Sequence, residues 1–444
     1  MGDNSERKTV GGRVAIIGTG SRAAMFVRGI VERPASAVVA ILEPNTIRAA
    51  YYNDLLKSLD APTVPVYKPE QFKDMLTTER VDAIVVTCID ALHHLYIIPA
   101  LEAGVQVLTE KPMTTDADKC RAILETGKEV DPEIGIILFT NLLNERLRRE
   151  RSGQAVISIH FEWLLDTIHG ADYFRRWHRQ KGNSGGLMVH KSGHHFDLVN
   201  WWIGSEPETV AGMGKTAFYG KEAGTKNGWA KDYVRARGSD EARKDPFAMH
   251  MEMDETLQKL YAEAESADGY HRDMNVFGPD IAIEDDMSVV VRYKSGVTLT
   301  YHLTAYSPWE GYRVMFNGSE GRLELEVVES EYRSPSDGER LGGLIHGTNS
   351  LPHPGGATVT LQRLWEKPQR LPVNIDHSAH GGGDTRMLSV LFGAKPGQEV
   401  DTGDASKQSA NEKDGAMALA VGVCANESFK TGNFIDVASL NFPL

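Results

Sequence analysis

Short apolar runs alternate with amphipathic stretches along the first third of the chain. Apolar runs too short for a helix predict buried strands at 14–17, 37–42, 64–67, 81–87, 105–109 and 135–139. Helical periodicity lies between them at 47–59, 69–77, 92–103 and 116–130. Because strands that alternate with helices form parallel sheets, this part is predicted to be a doubly wound α/β domain that ends near residue 140.

A different pattern follows this first part. Alternating apolar and polar residues predict strands at 155–163, 288–293, 298–304 and 322–327, as is typical of a mostly antiparallel sheet with one buried face. Residues 219–285 are rich in charge, aromatic residues and methionine. They are predicted to form a partly helical insertion, with a surface loop as the alternative. A helix at 406–431, with the apolar stripe Ala416, Leu419, Ala420 and Val423, is predicted to pack back onto the body.

Composition narrows the class of protein. The net charge of −13 over 444 residues gives no basic face for nucleic acid. Cys88, Cys120 and Cys424 are too few and too scattered for a disulfide framework. The first residues are polar and no run of 18 apolar residues occurs. We therefore expect a cytoplasmic protein of two domains, 1–140 and 141–444, with no membrane or nucleic-acid partner.

The first predicted strand runs directly into Gly18-x-Gly20-x-x-Ala23. In a dinucleotide-binding turn, the first glycine permits the tight turn, the second lets the diphosphate approach, and the small third residue keeps the helix close to the strand. Ser21 and Arg22 lie at the helix N-terminus, where backbone N–H groups and the helix dipole favour phosphates. The alternative is an ordinary strand-turn-helix connection. The pattern predicts a nicotinamide dinucleotide site in an N-terminal Rossmann domain.

The second predicted strand ends at Glu43, where Rossmann folds place the acid that binds ribose. A carboxylate accepts hydrogen bonds from both ribose hydroxyls and repels a 2′-phosphate, so the sequence favours NAD over NADP. Arg22 and Arg48 are the opposing signal, because either side chain could contact a 2′-phosphate. NADP is therefore not excluded by the sequence.

Two further motifs carry a family resemblance. Glu110-Lys111-Pro112 follows the fifth predicted strand, and residues 184–197 read Ser-Gly-Gly-Leu-Met-Val-His-Lys-Ser-Gly-His-His-Phe-Asp. With the glycine turn, and more loosely with residues 380–384 and 414–415, these motifs resemble the glucose-fructose oxidoreductase, inositol dehydrogenase and rhizopine-catabolism (Gfo/Idh/MocA) family. The resemblance implies a Rossmann domain followed by an α+β domain with a large, mostly antiparallel open sheet, assembled as a homodimer or homotetramer.

The resemblance also implies roles at the reaction centre. Lys111 is expected to direct its ammonium group at the substrate oxygen, where a cation stabilises a developing alkoxide; a surface lysine is the alternative. His194 is the candidate general acid/base. His190 stands where the family has an Asp, and the spacing predicts that His190 and His194 share one helix face. Two imidazoles at this spacing suggest zinc, but no acid stands at ligand spacing, so no metal is predicted.

The remaining candidates border the cofactor and the substrate. Thr87, His93 and Glu110 follow predicted strands at the sheet edge that binds ligands, and by resemblance His93 borders the nicotinamide. His195 is expected to be packed inside the fold. Side chains suited to carbohydrate rings and hydroxyls are predicted to contact substrate; they are Tyr173, Arg176, Trp177, His178 and Lys191. The alternative places Trp177 in the core and the arginine on the surface.

These residues together predict an NAD-dependent oxidoreductase. It would move a hydride between the nicotinamide and a secondary hydroxyl of a sugar, cyclitol or glycoside. Two alternatives stay open at this point. One is a glycoside hydrolase that oxidises C3 transiently, eliminates the aglycone and returns the hydride. The other is a sensor that binds a dinucleotide or sugar without turnover, since fold alone does not decide function.

Overall fold

The computed structural model describes residues 10–129, 136–138, 156–334, 355–373, 383–397 and 410–444. The predictions for residues 1–9, for the domain boundary near 140, for residues 380–382 of the later motif and for 406–409 of the long helix fall outside these ranges. Within them, no helix has the length and apolar character needed to cross a membrane.

Six parallel strands form the first sheet, in the order β3-β2-β1-β4-β5-β6. The strands are β1 (Gly12–Ile17), β2 (Ser36–Leu42), β3 (Val66–Tyr67), β4 (Ala83–Val86), β5 (Gln106–Thr109) and β6 (Ile136–Leu138). The helices are α1 (Ala23–Val31), α2 (Thr46–Ser58), α3 (Phe72–Thr78), α4 (His94–Glu102) and α5 (Ala117–Glu129). The doubly wound parallel sheet predicted from the apolar runs is confirmed.

Apolar side chains cover both faces of this sheet. Val14 and Ile16 of β1 pack in one cluster with residues of α1 and α2. Ala15 and Ile17 pack in another cluster with residues of α4 and α5. Because successive strand residues point to opposite faces, a strand between two helical layers must be apolar throughout. This requirement explains why these strands could be recognised in the sequence as short, continuous apolar runs.

Nine strands form the second sheet, in the order β14-β13-β12-β11-β7-β10-β9-β8-β15. They are β7 (Val156–Asp166), β8 (Pro207–Lys215), β9 (Asp286–Tyr293), β10 (Thr298–Ser307), β11 (Glu310–Gly318), β12 (Gly321–Ser330), β13 (Ala357–Arg363), β14 (Gln369–Leu371) and β15 (Ile435–Asp436). Every neighbouring pair is antiparallel except β7 with β10. The predicted mostly antiparallel sheet is therefore confirmed.

Helices of the second part pack on this sheet and on the first one. They are α6 (Thr167–Arg175), α7 (Lys181–Ser184), α8 (Leu187–His190), α9 (Gly193–Ile203), α10 (Lys221–Asn227), α11 (Glu255–Leu257), α12 (Glu265–Asp268), α13 (Gly383–Phe392) and α14 (Glu412–Thr431). Helix α14 contacts β8, α8 and α9, and also α5 of the first domain. Residues 412–431 thus contact elements of both domains.

The 219–285 stretch consists of short helical pieces. A π-helix, Gln258–Ala262, follows α11 directly, and 3₁₀ turns occur at Ala242–Lys244 and Met251–Met253. Leu257 and Leu260 are buried in the apolar cluster that also holds Tyr52 and Leu56 of α2. The insertion therefore packs against the first domain, although it belongs in sequence to the second.

Candidate active site

The glycine-rich turn joins β1 to α1 at the carboxyl edge of the parallel sheet. Gly18 has a φ of +83°, and a Cβ there would lie 2.7 Å from the Cα of Cys88. Both facts require glycine at this position. Thr87 closes the turn by donating its hydroxyl to the carbonyl of Gly18 at 2.7 Å. Ala23 is fully buried at the start of α1, as close helix–strand packing requires.

Glu43 lies directly after β2 and is held rigidly. Its Oε2 accepts hydrogen bonds from the backbone N–H of Thr19 at 2.9 Å and from its hydroxyl at 2.8 Å. Its Oε1 accepts from the backbone N–H of Asn45 at 2.8 Å. The Arg48 guanidinium lies 3.5 Å from Glu43 and is ion-paired with Asp268 of the insertion. Arg48 is thus held between two carboxylates.

Arg22, the other cation considered for a 2′-phosphate, is also paired with carboxylates. Its Nε donates to Glu110 at 2.6 Å, and its terminal nitrogens contact Asp384 at 3.1 and 3.2 Å. Burial lowers the pKa of Arg22, but Glu110 and Asp384 more than offset burial and raise it. Arg22 therefore links the glycine turn to the end of β5 and to the start of α13.

Lys111 follows Glu110 at the carboxyl edge and points toward the second domain. Its Nζ donates to the carbonyl oxygen of His190 at 3.0 Å. Burial lowers the pKa of Lys111, while Asp90 and Glu110 oppose this shift. His93 fixes the surrounding loops, because its ring nitrogens lie 3.0 Å from the carbonyl of Pro112 and 3.2 Å from that of Cys88.

Asp90 and His190 form a buried pair across the two domains. The Nδ1 of His190 lies 2.5 Å from Oδ2 of Asp90, which stands in the 3₁₀ turn Asp90–Leu92 after β4. Burial lowers the pKa of His190 well below its usual value, and Lys111 lowers it further. Burial raises the pKa of Asp90, an effect that Lys111 opposes. Burial thus disfavours the charged form of both partners.

The prediction that His190 and His194 share one helix face is wrong. His190 ends α8, and α9 begins only at Gly193 with Ser192 as its N-cap. Helix α8 is only four residues long, because it begins directly after Gly185 and Gly186, which both have positive φ, and ends at His190. The two histidines nevertheless lie near each other, since His194 contributes electrostatically to the pKa of His190.

Aromatic rings from α6 and the turn Trp177–Arg179 surround His190. Its ring centroid lies 4.2 Å from His178, 5.6 Å from Tyr173 and 5.9 Å from Trp177. Trp177 and His178 stack at 3.5 Å. Arg176 lies over the ring of Tyr173 at 5.8 Å. Four of the five predicted substrate contacts are therefore gathered around His190.

Lys191 lies in a buried cluster that adjoins Tyr173 through His169. Its Nζ lies 3.5 Å from Nε2 of His169 and 4.4 Å from the ring centroid of Trp163. His169 also contacts Glu310 through Nδ1 at 2.5 Å. Burial lowers the pKa of Lys191 to about 8 and raises that of Glu310 to about 8. Lys191 is therefore a buried amine whose neighbours are an imidazole, an indole and the carboxyl group of Glu310.

His194 and His195 contact each other, with ring centroids 4.0 Å apart, and both contact Trp163. His194 meets Trp163 edge-on at 5.4 Å, and His195 stacks on the same indole at 3.8 Å. The Nδ1 of His195 lies 2.8 Å from the hydroxyl of Tyr301, so His195 is packed inside the fold as predicted. Within the ranges that the structure describes, no group of three or more His, Cys, Asp or Glu side chains could hold a metal ion.

Sequence reasoning missed several residues of this region. Asp90 lies three residues beyond the predicted strand 81–87, so its place at the ligand-binding edge was a usable signal. Asp384 is the last residue of the motif at 380–384, for which no function was predicted. Three residues of the insertion were also missed, because no periodicity in the sequence indicated how this segment packs. They are Tyr261, Asp268 and Arg272. Their positions follow from tertiary contacts between distant parts of the chain.

Comparisons with known proteins agree with this architecture. The model of an oxidoreductase family with an NAD-binding Rossmann fold, GFO_IDH_MocA, matches residues 12–134, and that of its C-terminal alpha/beta domain matches residues 153–437. YteT of Bacillus subtilis (strain 168), an oxidoreductase by name, is 30% identical over 428 residues, which cover 92% of this chain and 94% of YteT.

Two further relatives carry more specific names. An inositol 2-dehydrogenase of Corynebacterium glutamicum (strain ATCC 13032) is 27% identical over 203 residues, 45% of this chain and 56% of that protein. The crystal structure of the WlbA dehydrogenase from Bordetella pertussis, in complex with NADH and UDP-GlcNAcA, is similar with a TM-score of 0.58 at 14% identity, covering 96% of this chain and 98% of that one. At this identity, the second likeness concerns the fold alone.

Proposed function

The chain belongs to the GFO_IDH_MocA family of NAD-binding oxidoreductases, and on that basis we propose that it transfers a hydride between NAD and a secondary hydroxyl of a sugar, cyclitol or glycoside. The proposal depends on one observation: Lys111 donates a hydrogen bond to the carbonyl of His190, and the ring of His190 is paired with Asp90. A cation next to a neutral imidazole is what oxidation of an alcohol requires, since the hydroxyl loses a proton as the hydride leaves.

The residues of the turn fit a nicotinamide dinucleotide. Backbone N–H groups at the start of α1 and the close approach at Gly20 suit a diphosphate, and when bound the cofactor supplies the hydride acceptor. Glu43 supports NAD rather than NADP, because hydrogen bonds from Thr19 and Asn45 fix its carboxylate beside the turn, where its charge disfavours a 2′-phosphate. Arg22 and Arg48 are each paired with two carboxylates, so neither is a ready partner for a 2′-phosphate.

Each residue of the reaction centre has a role in this proposal. The Lys111 ammonium holds the substrate oxygen and stabilises its developing charge. His190 accepts the hydroxyl proton through Nε2, because Asp90 engages Nδ1 and stabilises the imidazolium that forms, as in other His–carboxylate pairs. His194, the acid/base expected from the resemblance, lies next to this pair and is the second candidate for the proton. A variant of each histidine separates the two assignments.

The surrounding rings suggest a carbohydrate-like substrate. Tyr173, Trp177 and His178 combine flat apolar faces with hydrogen-bonding groups, and Arg176 adds a fork of donors. A sugar or cyclitol ring offers one apolar face and several hydroxyls to such a pocket. The name of a relative, an inositol 2-dehydrogenase, supports the same substrate class.

The test is an assay of the purified protein with NAD and a panel of free sugars, cyclitols and aryl glycosides. Absorbance at 340 nm and aglycone release are followed together. We expect NADH to accumulate with a member of the first two groups, without release of aglycone. Aglycone release at constant absorbance would instead indicate the redox-neutral glycoside hydrolase, and no signal in either channel would favour the sensor.

A further inference from the structure

The insertion covers the dinucleotide turn with a tyrosine. The backbone N–H of Ser21 donates to the hydroxyl oxygen of Tyr261 at 3.0 Å. Tyr261 lies on the π-helix Gln258–Ala262, and its neighbours Leu257 and Leu260 are buried against the first domain. A second link joins the same surfaces, because the side-chain amide of Asn45 donates to the carbonyl of Ala264 at 2.9 Å. The placement of Tyr261 is therefore fixed by packing on both sides.

The surroundings of the Tyr261 oxygen favour negative charge. Burial raises the pKa of Tyr261, but the Arg272 guanidinium and the hydrogen bond from Ser21 more than offset burial and lower it below its usual value. The N-terminus of α1 begins two residues after Ser21 and adds the positive end of a helix dipole. The phenol oxygen thus accepts the kind of hydrogen bond that a phosphate oxygen accepts in such turns.

Arg272 lies on the other side of this tyrosine. Its guanidinium carbon is 4.6 Å from the centroid of the Tyr261 ring, a cation–π distance. Arg272 is only 2% exposed, and its Nε has no hydrogen-bond partner among the residues that the structure describes. A buried donor without a partner is costly. This nitrogen is therefore a candidate contact for a ligand.

The charges around Arg272 do not balance. Its terminal nitrogen lies 3.6 Å from a carboxylate oxygen of Asp172, and Arg176 contacts the same oxygen at 2.9 Å. Two guanidinium groups thus share one carboxylate. The cations nearer the turn are committed elsewhere, since Arg22 is paired with Glu110 and Asp384. Arg272 therefore has less carboxylate charge to balance it than Arg22 has.

We infer that Arg272, positioned by Tyr261, is the counter-ion of the dinucleotide's diphosphate, so that the second domain's insertion completes the cofactor site. The inference rests on the proposed function, because it requires a dinucleotide at the glycine turn. It assigns to the insertion a binding role that the glycine motif alone does not include. It also explains why a segment of the second domain is packed so closely on α1 and α2.

Binding measurements on the purified protein test this assignment without any turnover. Titration calorimetry compares NAD, ADP-ribose and adenosine on the wild-type protein and on Arg272→Gln, Arg272→Lys and Arg243→Gln. Arg243 serves as the matched control, because it lies in the same insertion and is exposed in an ion pair with Asp240. We expect Arg272→Gln to weaken NAD and ADP-ribose alike by about 10- to 100-fold, the range for a desolvated charge-assisted contact.

The controls define the other expected results. Adenosine lacks the diphosphate, so its affinity should not change in Arg272→Gln; Arg272→Lys should retain most of the affinity for NAD, and Arg243→Gln all of it. Hydrogen exchange on the wild type supplies a measurement without a substitution. ADP-ribose should protect the peptide 257–273, and adenosine should not.

Each contrary outcome has its own meaning. A folded Arg272→Gln protein that binds NAD as tightly as the wild type, or unchanged exchange of 257–273 with ADP-ribose, would overturn the role of Arg272 and leave the proposed function standing. A wild-type protein that binds neither NAD nor ADP-ribose would overturn both.

Discussion

The imidazole of His190 and the carboxylate of Asp90 lie 2.5 Å apart, although the two residues are 100 positions apart in the chain. By the family resemblance an Asp is expected at position 190. In this chain position 190 is a histidine, and the carboxylate comes from Asp90 of the first domain. The pair connects the loop after β4 with the end of α8. The proposed reaction centre therefore includes residues from both domains.

Asp90→Asn should lower kcat about 10²-fold or more, the usual contribution of a positioned acid/base. An amide cannot stabilise the imidazolium, and its N–H group favours the wrong tautomer of His190. His190→Gln should cause a comparable loss, with NAD affinity within a few-fold of the wild type. If His194→Gln abolishes turnover while Asp90→Asn keeps it within threefold, the proton passes through His194 and this role of His190 is wrong.

Lys111→Met should lower kcat/KM by about 10³-fold, because several kcal/mol of alkoxide stabilisation are lost. Burial lowers the pKa of Lys111, with Asp90 and Glu110 opposing, so its ammonium is lost at a lower pH than that of free lysine. The pH profile of kcat/KM for alcohol oxidation should therefore fall on its basic side below pH 10.5. Lys111→Arg, which keeps its charge, should move this limb upward; an unchanged limb would contradict the assignment.

Glu43→Gln should shift the preference from NAD toward NADP by about tenfold or more, a change that corresponds to about 1.4 kcal/mol. The variant removes the charge that repels a 2′-phosphate and one of the two carboxylates that hold Arg48. The ratio of kcat/KM for the two cofactors measures the shift. Asp54→Asn, which removes an exposed carboxylate of α2 that pairs with Lys57, is the matched control and should leave the ratio unchanged.

Glu329→Gln should become more stable than the wild type as pH rises. Burial, aided by nearby Glu310, raises the pKa of Glu329 to about 8, above its ordinary value of 4.5. Because the folded protein holds this proton more tightly than the unfolded chain, the contribution of Glu329 to the free energy of unfolding is complete below pH 4.5. It is lost as pH rises through about 8, by no more than about 1.4 kcal/mol per pH unit. Urea unfolding at pH 5 and pH 9 measures the difference. Equal midpoint shifts at both values would contradict the prediction; Glu324→Gln, exposed on the same strand, is the control.

The first domain was predictable because its rules are local. Strands buried on both faces, such as Val14–Ile17, must be apolar without interruption, and the glycine turn is required by the positive φ of Gly18. Strand β8 was missed for the opposite reason. Its Gly212 and Gly214 make room for the ring of Phe429, since a Cβ at either position would come within 2.8 Å of that ring. Such a strand has neither alternation nor high strand propensity.

The site was predictable only as far as its residues sat in motifs. Lys111, His190 and the aromatic segment around Tyr173 were found from the sequence, and the structure brings them together. Asp268 and Arg272 could not be placed, because Asp268 meets Arg48 across the domain contact and Arg272 meets Asp172, which lies 100 residues earlier in the chain. A continuous helix through His190 and His194 was expected from spacing alone, but the turn at Lys191–Ser192 interrupts it.

Hydride transfer itself is tested most directly with a substrate that carries deuterium on the carbinol carbon. The substrate identified in the panel is incubated with NAD and either the wild-type protein or Lys111→Met, and the reduced nicotinamide is analysed by mass spectrometry. We expect one deuterium per nicotinamide with the wild type, at a rate about 10³-fold higher than with Lys111→Met. Product that forms while the nicotinamide pool stays oxidised and free of deuterium would contradict the proposed dehydrogenase.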